Sequence, residues 1–170
     1  MHSQSKSKFR LSVYFFALYF LMVGASQAKP NTQEVELVSD WQQLSIKALE
    51  QNLPIVMLVE TSNCHFCRTV KKDFLNPLSN SKRYKDKVIF SRISLDPGQT
   101  VIGLDGNITD THSFCAKYKA LFTPTIVFMD GHGEQLAKNI VGISSNDYFA
   151  YYLEKEIEKS IEALQAKSEI

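Results

Sequence analysis

Two cysteines separated by two residues follow a short apolar run, and this combination constrains the fold most strongly. The run at 55–59 (IVMLV) is continuous and rich in β-branched residues, which is typical of a strand buried on both faces of a sheet. Cys64 and Cys67 come next, at the predicted start of a helix for which Ser62 or Asn63 would be the cap. The sequence therefore predicts a strand that leads into a helix with two thiols in its first turn.

Two thiols in the first turn of a helix are suited to redox chemistry. Their sulfurs can form or open a small disulfide ring with little backbone movement. The first thiol lies near the unpaired N–H groups and the positive end of the helix dipole, which lower its pKa. We therefore expect Cys64 to be the exposed nucleophile and Cys67, one turn deeper, to be the resolving thiol. His65 between them adds a partial positive charge that favours the Cys64 thiolate.

A static disulfide and half of a zinc site are the two structural alternatives for this pair. A Cys-x-x-Cys zinc site usually needs a second pair of ligands, and the chain offers only Cys115 and scattered histidines such as His112 and His132. A disulfide that closes so small a loop would restrain the unfolded chain very little. Redox chemistry is therefore the favoured interpretation.

The rest of the chain alternates between helical and strand patterns. Asp40 can cap a helix at 41–52, and Asp110 or Thr111 can open another. Strands are predicted at 88–95 and 125–130, with a loop at 96–109 between the first of them and the helix near residue 110. A returning hairpin strand and a final amphipathic helix, capped by Ser145 or Asn146, complete the order. A βαβ unit followed by a ββα unit predicts an α/β fold, a mixed four-stranded sheet flanked by helices on both faces.

The N-terminal residues have the three parts of a secretory signal peptide. Three basic residues and no acidic one precede an uncharged run at 11–25, and the small residues Ser26 and Ala28 follow it. The uncharged run is shorter than the roughly 20 residues that cross a bilayer comfortably. We expect a signal peptide at 1–28 that is cleaved after Ala28, with a retained N-terminal anchor as the alternative.

Composition is consistent with one exported globular domain. The chain is 44% hydrophobic and 22% charged, and its net charge of +1 offers no electrostatic attraction for nucleic acid. We expect a tether at 29–39, a single domain at 40–167 and a periplasmic location, where disulfides persist.

A second motif connects these features to a known family. Thr123-Pro124-Thr125 precedes the predicted strand at 125–130, and a DGHG turn and the terminal helix follow it. An X-Pro bond at that position is a candidate for a cis peptide, with an ordinary trans proline as the alternative. Together with Cys64-His65-Phe66-Cys67, the arrangement resembles the thioredoxin superfamily over residues 40–160. It is most similar to the exported branch, which includes bacterial disulfide reductases and isomerases.

The resemblance implies a thioredoxin fold and a role for each matching residue. Cys64 matches the attacking cysteine and Cys67 the resolving one. Pro124 matches the cis-proline that lies against the disulfide, and the Thr123 backbone would pair with a bound substrate peptide as an added strand.

Several positions depart from thioredoxin itself. Asn63 stands where thioredoxin has Trp, and His65 and Phe66 replace the Gly-Pro dipeptide that tunes the reduction potential; Phe66 could also serve only in packing. Leu58 occupies the position of thioredoxin's buried aspartate. Glu60 could take over the proton-handling role of that aspartate if it faces the sulfurs, or it could simply end the strand in water.

Cys115 is the cysteine outside the motif. It falls on the predicted inner face of the helix before Pro124, where an inert core thiol is expected because free cysteines are among the most buried residues. The alternatives are a third redox cysteine or a Cu(I) ligand together with Cys64 and Cys67.

The sequence therefore predicts an exported enzyme, a thiol:disulfide oxidoreductase that acts on protein disulfides without an organic cofactor. Client protein thiols or disulfides and a membrane redox partner would be its partners. We favour a reductase because the chain lacks the large helical insertion of the strong oxidants and the dimerisation domain of the isomerases. A disulfide oxidant or isomerase, a thioredoxin-fold copper chaperone and a redox-inert binding module are the alternatives.

Overall fold

The computed structural model describes residues 33–168 of the chain. The predicted signal peptide at 1–28 and the start of the predicted tether lie outside these residues. The described part contains, in chain order, strand β1 (Glu36–Leu37), helix α1 (Trp41–Gln51), β2 (Ile55–Glu60), α2 (His65–Thr69), a π-helical segment (Val70–Leu75), α3 (Asn76–Ser79), β3 (Ile89–Ser94), β4 (Thr100–Ile102), β5 (Ile108–Asp110), α4 (Thr111–Ala116), β6 (Thr125–Met129), β7 (Ile140–Val141) and α5 (Asn146–Ser168).

The main sheet is mixed, which confirms the predicted α/β class. Its five strands lie in the order β1-β3-β2-β6-β7. The pairs β1–β3 and β3–β2 are parallel, whereas β2–β6 and β6–β7 are antiparallel. The predicted number of four strands is wrong, because the chain contributes a further strand, β1, at one edge.

The added strand lies in the segment predicted to be a tether at 29–39, so that prediction is wrong for its second half. Val35 and Val38 are buried, and the Val38 amide donates to the Arg92 carbonyl on β3. The Val35 amide donates to Asn76 Oδ1 at 3.0 Å. Apolar burial and main-chain pairing together hold this segment against the sheet, and a two-residue strand is too short to produce a readable alternation in the sequence.

Strand β2 is the centre of the fold. All of its residues are buried, as the continuous apolar run predicts. Met57 and Val59 belong to a core cluster with Trp41 and Phe114, whereas Leu58 belongs to a second cluster on the other face of the strand. The second cluster also contains Val70 and Leu75 of the π-helical segment and Phe149, Leu153 and Ile157 of α5. Helices thus cover both faces of the sheet.

Two predicted helix caps are confirmed. The Asp40 carboxylate accepts a hydrogen bond from the Gln43 amide at 2.9 Å, and the Asp110 carboxylate accepts one from the Ser113 amide at the same distance. These bonds set where α1 and α4 begin.

The predicted loop at 96–109 is partly a β-hairpin. Strands β4 and β5 pair antiparallel, with Val101 opposite Thr109. Val101 is buried in the core cluster that contains Trp41, and this burial explains why the hairpin is ordered against the domain. Within the described residues, no helix has both the length and the apolar character that crossing a membrane requires.

Candidate active site

The two cysteines lie at the carboxyl end of β2 and form a disulfide. The Cα atoms of Cys64 and Cys67 are 5.2 Å apart. Helix α2 begins at His65, and Cys64 itself is its N-cap, with Sγ accepting a hydrogen bond from the Cys67 amide at 3.0 Å. The prediction that Ser62 or Asn63 caps the helix is therefore wrong. A sulfur replaces the usual oxygen acceptor because the helix starts one or two residues later than expected.

The two sulfur-bearing residues differ in exposure. Cys64 is partly exposed, whereas Cys67 is completely buried. An incoming reactant can therefore approach Cys64 from solvent, whereas Cys67 has no solvent-exposed surface. The first-turn amide that points at Cys64 Sγ would also stabilise a thiolate there once the disulfide is reduced.

The chain before Cys64 is anchored to the neighbouring strand. Both carboxylate oxygens of Asp96 accept a hydrogen bond from the Ser62 amide at 3.1 Å, and Asp96 also accepts one from the Ser94 hydroxyl at 2.9 Å. The hydrogen bond from the Ser62 backbone is the main reason why the pKa of Asp96 is lowered. The sequence analysis did not identify Asp96 as part of the site. The signal that could have identified it is its position directly after a predicted strand that pairs with β2.

Pro124 lies beside the end of β2. The register pairs Val59 with Thr125, so the next step along the antiparallel strands brings Pro124 opposite Glu60. The Thr123–Pro124 peptide bond is cis, and Pro124 is buried. The start of strand β6 therefore lies at the same end of the sheet as the segment that leads to Cys64.

Exposed apolar side chains stand between the two cysteines and directly before Thr123 in the chain. Phe66 is 57% exposed and packs edge-on against His65, with ring centroids 5.8 Å apart. Leu121 and Phe122, which precede Thr123, are also exposed, and the Phe122 side chain is 75% accessible. Phe66 is thus more than half exposed, and its packing contact is with the neighbouring His65.

Glu60 is buried and ion-paired, so the interpretation that it ends the strand in water is wrong. Its carboxylate accepts a hydrogen bond from Arg92 Nη1 on the neighbouring strand β3. Arg92 Nε also donates to the Val35 carbonyl at 2.9 Å. Leu58 is fully buried among apolar side chains.

Residues 41–157 match the family model of the thioredoxin-like domain. The chain belongs to the thioredoxin-like family. No curated protein sequence matches it at a significant level.

Solved thioredoxin structures resemble this thioredoxin-like chain in fold. Poplar thioredoxin h is 18% identical with a TM-score of 0.52, and the match covers 72% of this chain and 96% of that one. The thioredoxin of Malassezia sympodialis is 17% identical with a TM-score of 0.53, over 76% of this chain and 93% of that one. At these identities the similarity shows the fold alone. Thioredoxin-fold proteins with a Cys-x-x-Cys pair are generally thiol–disulfide oxidoreductases, and this chain has both features.

The remaining cysteine of this thioredoxin-like protein lies in the core. Cys115 is fully buried in the cluster that contains Trp41 and Phe114, and burial raises the pKa of its thiol to about 12. Val70 and Leu75, which continue the helix of the cysteine pair, belong to the other cluster. Among residues 33–168, no group of three or more His, Cys, Asp or Glu side chains could hold a metal ion.

Proposed function

We propose that this chain is an exported thiol–disulfide oxidoreductase that acts on protein disulfides and works as a reductase. The observation that carries the proposal is the cysteine pair itself, with an accessible Cys64, a buried Cys67 and a first-turn amide directed at Cys64 Sγ. This arrangement provides one thiolate for attack and a second thiol that has no solvent-exposed surface.

The reaction starts from the reduced dithiol. The Cys64 thiolate attacks one sulfur of the client disulfide, the client S–S bond breaks, and one client thiolate leaves and takes up a proton. Cys67 then loses its proton and attacks Cys64 Sγ, which releases the second client thiolate and forms the Cys64–Cys67 disulfide. Two electrons pass to the client, and a reducing partner must return them to the enzyme. The same steps in reverse would oxidise a client.

A protein substrate is supported by the surroundings of the pair. Thr123 directly precedes the buried Pro124 at the start of β6, where its backbone is available to an extended peptide. Phe66, between the two cysteines, and Phe122, next to Thr123, add exposed aromatic surface, which suits the apolar side chains around a client cysteine. His65 is exposed beside Cys64 and is the proposed tuning residue of the dipeptide, together with Phe66.

Glu60 is proposed to tune the site indirectly. Glu60 is the last residue of β2, and its ion pair with Arg92 holds this end of the strand in place. The loop that carries the cysteines begins directly after it. We propose that it positions this loop and does not carry protons for the cysteines.

The reductase direction is supported by the short connection between β3 and β6. Among the described residues, this connection contains the β4–β5 hairpin and the six-residue helix α4. It does not contain a large helical insertion of the kind that the strong oxidants have. A periplasmic reductase needs electrons from the cytoplasm, so we propose a membrane redox partner in addition to the client proteins. We propose no organic cofactor and no nucleic-acid partner.

Insulin reduction with dithiothreitol as the electron source tests the activity. The wild-type chain and Cys115→Ser are expected to accelerate insulin precipitation, whereas Cys64→Ser is expected to be inactive. An active Cys64→Ser variant would contradict the proposal. Stoichiometric Cu(I) binding without insulin reduction would support the copper chaperone instead.

The reduction potential decides the direction. The protein is equilibrated in glutathione and dithiothreitol buffers, and free thiols are counted by alkylation and mass. A value below about −200 mV is expected of the reductase, and a value near about −120 mV would show a disulfide donor. The N-terminal sequence of the protein recovered from the periplasmic fraction tests export and cleavage after Ala28.

A further inference from the structure

Residues 121–123 are a largely exposed stretch of chain directly before Pro124 and strand β6, and hydrogen bonds hold this 121–123 segment on both sides. On the N-terminal side, the Tyr118 carbonyl accepts a hydrogen bond from Asn139 Nδ2 at 2.7 Å. On the C-terminal side, the Thr125 hydroxyl donates to the Phe122 carbonyl, also at 2.7 Å. The second bond ends within the segment itself, so it can determine the direction in which the backbone groups of the segment point.

The Thr125 hydroxyl is held in a fixed place. Thr125 is fully buried and is the first residue of β6, where it pairs with Val59 on one side and Val141 on the other. The strands on both sides restrict its position. A buried hydroxyl needs a hydrogen-bond partner, and the acceptor of this one is the Phe122 carbonyl.

The bond from Thr125 also sets the direction of the Thr123 amide. The Phe122 carbonyl and the Thr123 N–H belong to one peptide group, which is planar and trans. In such a group the C=O and N–H bonds point in opposite directions. Because the Phe122 carbonyl points at the buried hydroxyl of Thr125, the Thr123 N–H points away from that hydroxyl.

The Thr123 backbone groups are left without an internal partner. Neither the amide nor the carbonyl of Thr123 forms a hydrogen bond with another residue of the described range 33–168. The carbonyls on either side are already used, that of Phe122 by Thr125 and that of Pro124 by the Gly142 amide at 2.8 Å. Backbone groups are nearly always paired in folded proteins, so Thr123 offers an extended peptide both a donor and an acceptor.

We infer that Thr125 is a positioning residue for client binding, whose hydroxyl fixes the Phe122–Thr123 peptide group so that the Thr123 amide is presented to an extended client. The inference rests on the proposed function and assigns a role to a residue that is itself buried. Without the hydroxyl, the peptide group loses the bond that sets its direction, and ordering it again on binding lowers the affinity for the client. Cys64 lies on another segment, so its chemistry does not depend on this bond.

Reduction of two different disulfides by Thr125→Val tests the inference, because valine keeps the shape of threonine and removes the hydroxyl. Fluorescein-labelled insulin, with dithiothreitol as the electron source, is a client with peptide groups. Dithiodipyridine, added to the pre-reduced protein, is a disulfide without them. The KM for insulin is expected to rise about fivefold, as the loss of one neutral hydrogen bond implies, while kcat and the rate with dithiodipyridine stay unchanged. Equal KM values for the variant and the wild type, or a loss of activity on both substrates, would overturn the inference.

Thr109→Val is the matched control. The Thr109 hydroxyl also donates to a nearby carbonyl, that of Asp110, but it lies on the β4–β5 hairpin. This variant is expected to have the KM of the wild type. Thr125→Ser keeps the hydroxyl and is expected to restore the wild-type KM. An equal rise of KM in Thr109→Val or in Thr125→Ser would show that the Thr125 hydroxyl is not the cause.

Failure of the redox proposal and failure of this inference give different results. A wild-type chain that reduces neither disulfide would contradict the proposed function itself. A wild-type chain that reduces both, with a KM for insulin that does not depend on the Thr125 hydroxyl, would contradict the positioning role alone. If Thr125→Val does not fold, NMR of the wild type still provides a test. The hydroxyl proton of Thr125 should exchange slowly enough with water to give its own signal, and rapid exchange would overturn the inference.

Discussion

The carboxylate of Asp96 accepts the backbone amide of Ser62 with both of its oxygens, two residues before the attacking cysteine of the proposed reaction. Asp96 lies just after β3, and Ser62 lies just after β2, so the contact joins the carboxyl ends of two parallel strands. The Ser62 hydroxyl donates to Asp96 as well, at 3.2 Å. The loop that carries Cys64 is therefore held to its neighbour in the sheet, in addition to the hydrogen bonds within the loop itself.

Replacement of Asp96 by alanine is expected to release this loop. The amide of Ser62 loses its acceptor, so its hydrogen exchange should accelerate relative to that of β2. Asp105→Ala is the matched control, because Asp105 bonds to Asn107 within its own turn and makes no contact with the cysteine loop. Unchanged exchange at Ser62 in Asp96→Ala would contradict the anchoring role.

The same contact predicts a pH dependence. The pKa of Asp96 is lowered mainly by the hydrogen bond from the Ser62 backbone. A carboxylate with a lowered pKa in the folded state adds stability above its unfolded-state pKa of about 3.9, and that stability is lost as the pH falls through the folded-state value. In an NMR titration, the Ser62 amide should shift with a midpoint below the ordinary aspartate pKa, and Asp96→Asn should abolish this transition. A midpoint at or above the ordinary value would contradict the prediction.

Loss of Arg92 is expected to destabilise the fold strongly. Glu60 and Arg92 form a largely buried pair, with side-chain exposures of 11% and 18%, and Arg92→Ala leaves the Glu60 carboxylate without its cation. The free energy of unfolding should fall by about 3 kcal/mol, as is typical when one partner of a buried pair is removed. Urea unfolding measures this change. The double variant Glu60→Leu/Arg92→Met should recover much of the loss, because no unpaired charge remains.

Arg83→Ala is the matched control for this pair. Arg83 bonds to Glu154 and Glu158 of α5, but its side chain is 56% exposed and solvent already screens the interaction. Its removal should change the unfolding midpoint much less than Arg92→Ala. Equal effects of the two single variants would show that burial does not decide the contribution of Glu60 and Arg92.

Cys115 is expected to resist alkylation in the folded protein. Burial raises the pKa of its thiol to about 12, so at neutral pH it carries almost no thiolate and iodoacetamide also cannot reach it. After reduction with dithiothreitol, mass spectrometry should find Cys64 modified first and Cys115 unmodified until denaturant is added. Comparable rates at Cys64 and Cys115 would contradict the assignment of Cys115 as a core thiol.

Removal of the resolving thiol should trap the client. In Cys67→Ser the mixed disulfide between Cys64 and a client has no internal thiol to release it, so disulfide-linked complexes should accumulate and disappear on reduction. Cys64→Ser is expected to trap far less, because Cys67 is completely buried. Non-reducing electrophoresis compares the two. Stronger trapping by Cys64→Ser would reverse the proposed roles.

Sequence reasoning predicted those parts of the fold that depend on local signals. The apolar run of β2 and the cap at Asp40 are both local, and both are confirmed. The mixed sheet follows from the order of the elements. The placement of the cysteine pair at the start of a helix follows from its position after β2. These features need no knowledge of distant contacts.

The missed features depend on contacts between segments far apart in the chain. Strand β1 exists because Val35 and Val38 are buried against β3, and two residues carry no periodic pattern. The anchoring by Asp96 needs the parallel register of β2 and β3, and the hydrogen bond from Asn139 to the Tyr118 carbonyl joins residues 21 positions apart. Glu60 was placed at the right strand end, but its partner Arg92 lies on another strand.

The five-stranded sheet starts and finishes with strands of only two residues, β1 and β7. Edges this short offer too few main-chain donors and acceptors for strands of other molecules to be added one after another, and Glu36 adds a charge to one of them. Such a sheet is a poor seed for fibrous growth. Concentrated solutions of the folded protein are therefore expected to stay dispersed, even though its central strand is as apolar as the segments that build amyloid.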